Sequence, residues 1–117
     1  MADLTDAEFE AASRRGEIAM ATKPRARSAR YDRDSGHVVL ELVNGSTFSF
    51  PVRLAQGLER ATPEQLEQVE ILGAGFGLHW EELDADFSVE GLMAGRFGTA
   101  RYMRERFGPY WDVQAAE

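Results

Sequence analysis

His37-Val38-Val39-Leu40-Glu41-Leu42-Val43-Asn44-Gly45-Ser46-Thr47-Phe48-Ser49-Phe50 is the stretch whose reading decides the fold. Its apolar side chains alternate with a period of two. Val38, Leu40 and Leu42 face one way, Val39 and Val43 the other, and Phe48 and Phe50 share a face on the return. Between the two runs stands Asn44-Gly45, the strongest short hairpin signal in the chain. Both central positions of a type I′ turn need positive φ, which Asn and Gly adopt at little cost. Upstream, Arg25 to Tyr31 also reads with period two but is weakly apolar and rich in arginine, as suits a sheet margin. Asp34-Ser35-Gly36 supplies the turn that joins it to the hairpin. Residues 25–50 therefore predict a three-stranded antiparallel meander.

Working outward, Thr5-Asp6-Ala7-Glu8 is a capping box, and Leu4 is placed to staple onto Phe9, so a helix is expected from about Asp6. Its apolar stripe is thin and Gly16 interrupts it, which predicts a peripheral arm that stops there or continues weakly to Ala21. Thr22-Lys23-Pro24 ends it. After the meander, Pro51 opens a helical stretch expected from Val52 to about Arg60, with Val52, Leu54, Ala55 and Leu58 on one side. Thr62-Pro63-Glu64-Gln65 is a second helix start, with proline at the first helical position. Glu70-Ile71-Leu72 and Leu78-His79-Trp80 read as strand, separated by glycines, and Ser88 caps a short helix that is expected to pack through Leu92 and Met93. The fold class is α+β: the meander and a further strand, short helices packed on them, and helical extensions at both ends. The organisation expected is an arm over residues 1–24, a core over 25–95 and a C-terminal helix with an aromatic tail over 96–117.

Composition narrows the function classes. The chain has 117 residues, 44% apolar and 28% charged, long enough for one core. No apolar run approaches the roughly 20 residues that span a bilayer, and the N-terminus is acidic where a secretory signal is basic. The expectation is a cytoplasmic protein without a membrane partner. There is no cysteine, which removes thiol catalysis and thiolate metal sites. The net charge of −7 disfavours nucleic acid, whose phosphates require a basic surface. Charge is also segregated along the chain. Residues 14–33 carry seven basic groups against two acids; residues 61–95 carry eight acids and no Lys or Arg; residues 96–106 turn basic again.

The most distinctive segment is Gly73 to Val89, with a glycine-rich entry, Trp80, and the carboxylates Glu81, Glu82, Asp84 and Asp86. The glycines lack the spacing and flanking elements of a dinucleotide loop, and read as a bulge or a close backbone approach. Trp80 and Leu83 read as core anchors, with the indole N–H given to a backbone carbonyl. Carboxylates at 82, 84 and 86 would share one strand face, a geometry a hard cation tolerates, but the calcium-loop glycine and the closing glutamate are missing, so no metal or cofactor is expected. Neither His37 nor His79 lies in a nucleophile or metalloprotease motif, and no catalytic residue is assigned. These carboxylates either face a cationic partner or lie along a solvated loop edge, with Asp84 or Asp86 bonded toward the helix at Ser88.

Tyr31-Asp32, Leu40-Glu41-Leu42-Val43-Asn44-Gly45 with Phe48 and Pro51, and above all Gly75-Phe76-Gly77-Leu78-His79-Trp80 with Leu83-Asp84-Ala85-Asp86, Val89, Gly91, Leu92 and Gly95 resemble the bacterial domain of unknown function 2442 family over residues 25–95. The resemblance implies a small α+β domain. It also implies an antitoxin-like role beside a small toxin-like protein, and no catalytic residue to carry over. Some members of the family carry a helix-turn-helix; this sequence presents no such motif and has extra segments at both ends.

At the C-terminal end, Ala100, Met103, Phe107 and Trp111 fall at helical steps and form one apolar stripe, with Gly108-Pro109 ending the helix near Phe107. Such a stripe docks on its own domain, on a twin or on a partner. The function expected is a protein-binding module, an antitoxin-like neutraliser. It would hold a small basic protein, or another copy of itself, through Trp80, Glu81, Glu82, Asp84, Asp86, Met103, Phe107, Tyr110 and Trp111. The alternative is a nucleic-acid-binding regulator using Arg25, Arg27, Arg30 and Arg33.

Overall fold

The period-two pattern gives the expected meander. In the computed structural model, which describes residues 5–112, β1 (Ala26–Asp32), β2 (His37–Leu42) and β3 (Thr47–Pro51) form an antiparallel sheet in that order. Val38, Leu40, Leu42 and Phe50 point inward and are buried, while Val43 faces solvent. The turn differs from the expected type I′. Among the non-glycine residues described, only Asp84 has positive φ, so Asn44 does not adopt the conformation that type requires. Gly45 N–H donates to Leu42 O (2.9 Å), Leu42 N–H donates to Ser46 O (2.8 Å), and Gly45 alone takes the left-handed conformation (φ 92°). This is the three-residue connection, a turn followed by a glycine bulge. Asn44 stays out of the left-handed region because its side chain accepts the Ser46 N–H (2.9 Å), which fixes the turn locally.

The further strand expected after residue 70 is one of three. β4 (Glu70–Leu72), β5 (Gly77–Trp80) and β6 (Ala85–Ser88) make a second antiparallel sheet. Leu78 and Trp80 face its inner side at 0% exposure and pack with Leu58, Leu66, Val89 and Leu92 in one core shared with the first sheet. Full burial of each such aliphatic side chain is worth about 1.5–3 kcal/mol. Trp80 Nε1–H donates to Leu66 O (3.0 Å), and its ring meets Phe87 edge-on at 6.0 Å. The indole is thus satisfied in the interior, as expected.

Gly75 joins the two sheets. Its carbonyl accepts from Ala26 N–H (2.7 Å) and the neighbouring Ala74 carbonyl accepts from Arg25 (3.2 Å). Its φ is +100°, and a Cβ there would overlap the Ala26 carbonyl oxygen. The glycine-rich entry is therefore a close backbone approach, not a phosphate loop.

α1 (Asp6–Thr22) runs unbroken through Gly16 and carries the Thr5–Glu8 capping box, with no residue buried. Leu4, the expected staple, lies outside the described residues, and Phe9 is 63% exposed. The helix expected over 52–60 is only a 3-10 turn, Val52–Leu54. Ala55 returns to extended backbone and Gly57 takes positive φ (88°), so the helical ladder cannot continue. Ala55 and Leu58 are nonetheless buried. α2 (Pro63–Leu66) has the predicted Thr62–Gln65 box, and α3 (Val89–Met93) is capped by Ser88, which accepts from Gly91 N–H. Leu92 enters the core, but Met93, expected beside it, is 42% exposed, because consecutive helix residues point about 100° apart.

α4 (Ala100–Phe107) docks on the chain's own body. Tyr102 O–H donates to Leu54 O (2.6 Å), Arg106 to Arg53 O (2.8 Å), and Met103 is buried. The buried side is thus the Tyr102–Met103–Arg106 side, and Ala100 is exposed. Of the expected stripe, Phe107 is half-exposed beside Phe97 (centroids 6.5 Å apart), Tyr110 is exposed and Trp111 is half-buried. No helix of the described residues is long and apolar enough to cross a membrane.

Candidate functional site

Five of the residues singled out, Trp80, Glu81, Glu82, Asp84 and Asp86, sit on the β5–β6 hairpin. Glu81 to Asp84 form its turn, closed by Asp84 N–H donating to Glu81 O (3.2 Å), with Asp84 in the left-handed region at φ 48°. Aspartate tolerates that conformation better than most side chains. The carboxylates at 82, 84 and 86 therefore do not share one strand face as expected. Glu82 and Asp84 belong to the turn and only Asp86 to β6. Glu82 accepts from Gln65 Nε2 (3.0 Å), which ties the turn to α2.

Asp86 lies on the outer face of the second sheet, directly across from His79. His79 Nδ1 is 2.7 Å from Asp86 Oδ1, and His79 Nε2 is 2.5 Å from Glu81 Oε2. A neutral imidazole has one N–H, so two carboxylates at its two nitrogens call for the doubly protonated ring. The Glu81 and Asp86 hydrogen bonds accordingly raise its pKa from 6.5 to about 9. Glu70 pairs with His79 from the other side, on β4. The outer face thus carries a row Glu70–His79–Asp86, with Glu81 beside it. No sequence motif singles out His79 for this role. The signal for this arrangement was the two-residue step from 79 to 81 and a hairpin register that becomes visible once 81–84 is read as a turn.

Two of the clefts that border the hairpin reach its turn. One, of about 600 Å³, is lined by Glu64, Glu70, Glu81 and Glu82 together with neutral side chains of the α2 segment. The other, of about 620 Å³, runs beside Asp84 to Ser88. Among the described residues no group of three or more His, Asp or Glu side chains is arranged to hold a metal ion. Two residues placed in the partner-facing set are in the interior. Trp80 is 0% exposed and Met103 3%, so they support the surface from beneath and touch nothing outside it.

Three of the four arginines of the alternative reading have partners within the chain. Arg25 holds the Ala74 carbonyl and lies 6.0 Å from the Phe76 ring centroid; Arg27 pairs with Glu41 across the strands (3.1 Å). Arg33 forks onto Glu67 (2.9 and 2.7 Å), with Glu64 at 3.7 Å. That fork holds the Glu67 carboxyl below its ordinary value, and the Ser35 hydroxyl does the same for Asp32. Arg30 is exposed on β1. The arginines thus mostly fasten the first sheet to its surroundings.

Two solved structures are similar. A crystal structure of a protein of unknown function from Rhodospirillum rubrum is 62% identical, covering 70% of this chain and 99% of that one, with a TM-score of 0.68. A solution NMR structure of an uncharacterized protein from Chromobacterium violaceum is 36% identical, covering 89% and 95%, with a TM-score of 0.69. The curated proteins include no match. Residues 26–98 match the model of the family described as protein of unknown function (DUF2442), and the chain therefore belongs to that family.

Proposed function

We propose that this chain is a cytoplasmic protein-binding module that takes a basic polypeptide on the β5–β6 hairpin, in the manner of an antitoxin-like neutraliser. The observation that carries the reading is the concave acidic surface: Glu64, Glu70, Glu81 and Glu82 around one cleft, continued by Asp84 and Asp86 along the hairpin. No Lys or Arg occurs between residues 61 and 95, Arg33 reaches only the Glu64–Glu67 end, and the His79 cation offsets one charge between Glu81 and Asp86, so the surface stays net acidic. An acidic cleft speeds encounter with a cationic partner and rejects anionic ones. A partner that works through a basic groove is occluded when that groove is filled. Phe107 and Tyr110 are further exposed apolar area. The nucleic-acid alternative has less in its favour, because Arg25, Arg27 and Arg33 are already engaged.

The test is capture from the native cell extract after nuclease treatment, run in parallel with the wild-type chain and with Glu81→Lys/Glu82→Lys/Asp84→Lys. A basic protein retained by the wild type and lost from the variant is the expected result. Equal retention by both removes the hairpin from the contact.

A further inference from the structure

β6 is an outer strand of its sheet, and among the described residues no strand lies beside its far margin. In an antiparallel ladder, residues alternate between those that exchange backbone hydrogen bonds with the neighbour and those whose N–H and C=O point away. Val89 N–H donates to Phe76 O (2.8 Å), which fixes the phase. Leu78–Phe87 and Trp80–Ala85 are then the bonded pairs, and Asp86 and Ser88, opposite His79 and Gly77, turn their backbone groups outward. Among the described residues no loop or side-chain acceptor takes those two amides.

That margin forms a wall of the 620 Å³ cleft, whose lining also includes Gln56, Gly57, Gly98 and Arg96. We propose that an extended cationic segment of a partner polypeptide adds to β6 as a fourth strand of this sheet. The inference rests on the protein-binding reading above and specifies its mode. Main-chain hydrogen bonds to Asp86 and Ser88 supply affinity, and side-chain alternation supplies selectivity. The residue opposite Asp86 falls on the outer face beside Asp86, with Asp84 lining the same cleft, and is basic. Its neighbours fall on the inner side beside Ala85 and Phe87, and are apolar. Arg96 disfavours a further cation on its side of the cleft. A second copy of this chain is a poor occupant, because β6 itself carries no basic side chain to set beside Asp86.

The test uses the full chain, isotope-labelled, with a synthetic peptide of alternating Lys and Val. Two analogues are N-methylated, one on the lysine amides and one on the valine amides. Strand addition predicts that one analogue loses binding and the other keeps it, because alternate amides face β6. Bound peptide slows amide exchange at Asp86 and Ser88 by about tenfold or more, while Ala85 and Phe87, already bonded to β5, do not change. Asp86→Pro removes one outward amide at an edge position where proline is tolerated. It binds about tenfold more weakly than Asp86→Asn, the equivalent of one hydrogen bond. Equal binding by both analogues, or exchange unaltered at 86 and 88, overturns strand addition and leaves the acidic-surface reading standing. Failure of the unmodified peptide to bind also overturns it, and the protein-binding reading is then decided by the charge-reversal capture alone.

Discussion

Gly75→Ala tests how the two sheets are joined. The added methyl meets the Ala26 carbonyl oxygen inside van der Waals contact, with Ala26 N at 3.1 Å and the Arg25 Cβ at 3.2 Å, all of them close to the main chain. Its backbone would also have to hold φ near +100°, which costs a residue with a side chain about 1–3 kcal/mol. Relief requires the loop to withdraw from β1, which breaks the Ala26 N–H bond to Gly75 O (2.7 Å), worth about 0.5–1.5 kcal/mol. The expected loss is therefore about 2–4 kcal/mol, a large share of the stability of an ordinary domain. Gly73→Ala is the control. Gly73 also has positive φ (60°), but a Cβ there meets nothing within 4 Å, so only the conformational cost of about 1 kcal/mol applies. Urea unfolding of both variants gives the comparison. If Gly75→Ala is no less stable than Gly73→Ala, the contact between the sheets is not what the glycine serves.

Further outcomes follow from other residues. His79 binds its proton more tightly in the folded chain, with a pKa near 9 against 6.5. Its contribution to stability is therefore full below 6.5 and is lost as pH rises through 9, and an NMR titration of the ring should show the high midpoint. In His79→Gln, the fall in stability over that window should flatten. Trp80→Phe leaves the Leu66 carbonyl without its indole donor in the interior and costs about 1–3 kcal/mol in urea unfolding. Thr5→Ala removes the α1 cap, worth about 1 kcal/mol to that helix. Because no α1 residue is buried, circular dichroism should record lost helix while the tryptophan-detected unfolding midpoint stays in place.

The meander was legible because Val38, Leu40, Leu42 and Phe50 alternate strictly and one face of their sheet is buried, so pattern and burial coincide. The helix starts at Thr5, Thr62 and Ser88 were legible because a cap is a local hydrogen bond between residues three apart. The stretch after Pro51 was not. Its apolar spacing suits a helix, but Gly57 turns the chain and Ala55 and Leu58 reach the core from a loop. β6 was hidden because Asp86 and Ser88 interrupt it with polar groups on the outer face, and its four residues give too short a period to stand out. The acidic residues of the candidate site were visible as a charge run. Their organisation around His79 was not, since it depends on the register set by a turn with no glycine or proline, whose left-handed position is filled by Asp84. The C-terminal stripe misled about direction: the helix was correct, but hydrogen bonds from Tyr102 and Arg106 rotate Met103 inward and leave Phe107 at the rim.

The affinity of the captured basic partner for the wild-type chain and for Glu81→Lys/Glu82→Lys/Asp84→Lys, measured across a range of salt concentrations, tests the central claim most directly. The acidic hairpin predicts at least about tenfold weaker binding by the variant and a shallower dependence on salt, because exposed charge pairs are screened. Equal affinities with the same salt dependence would contradict it.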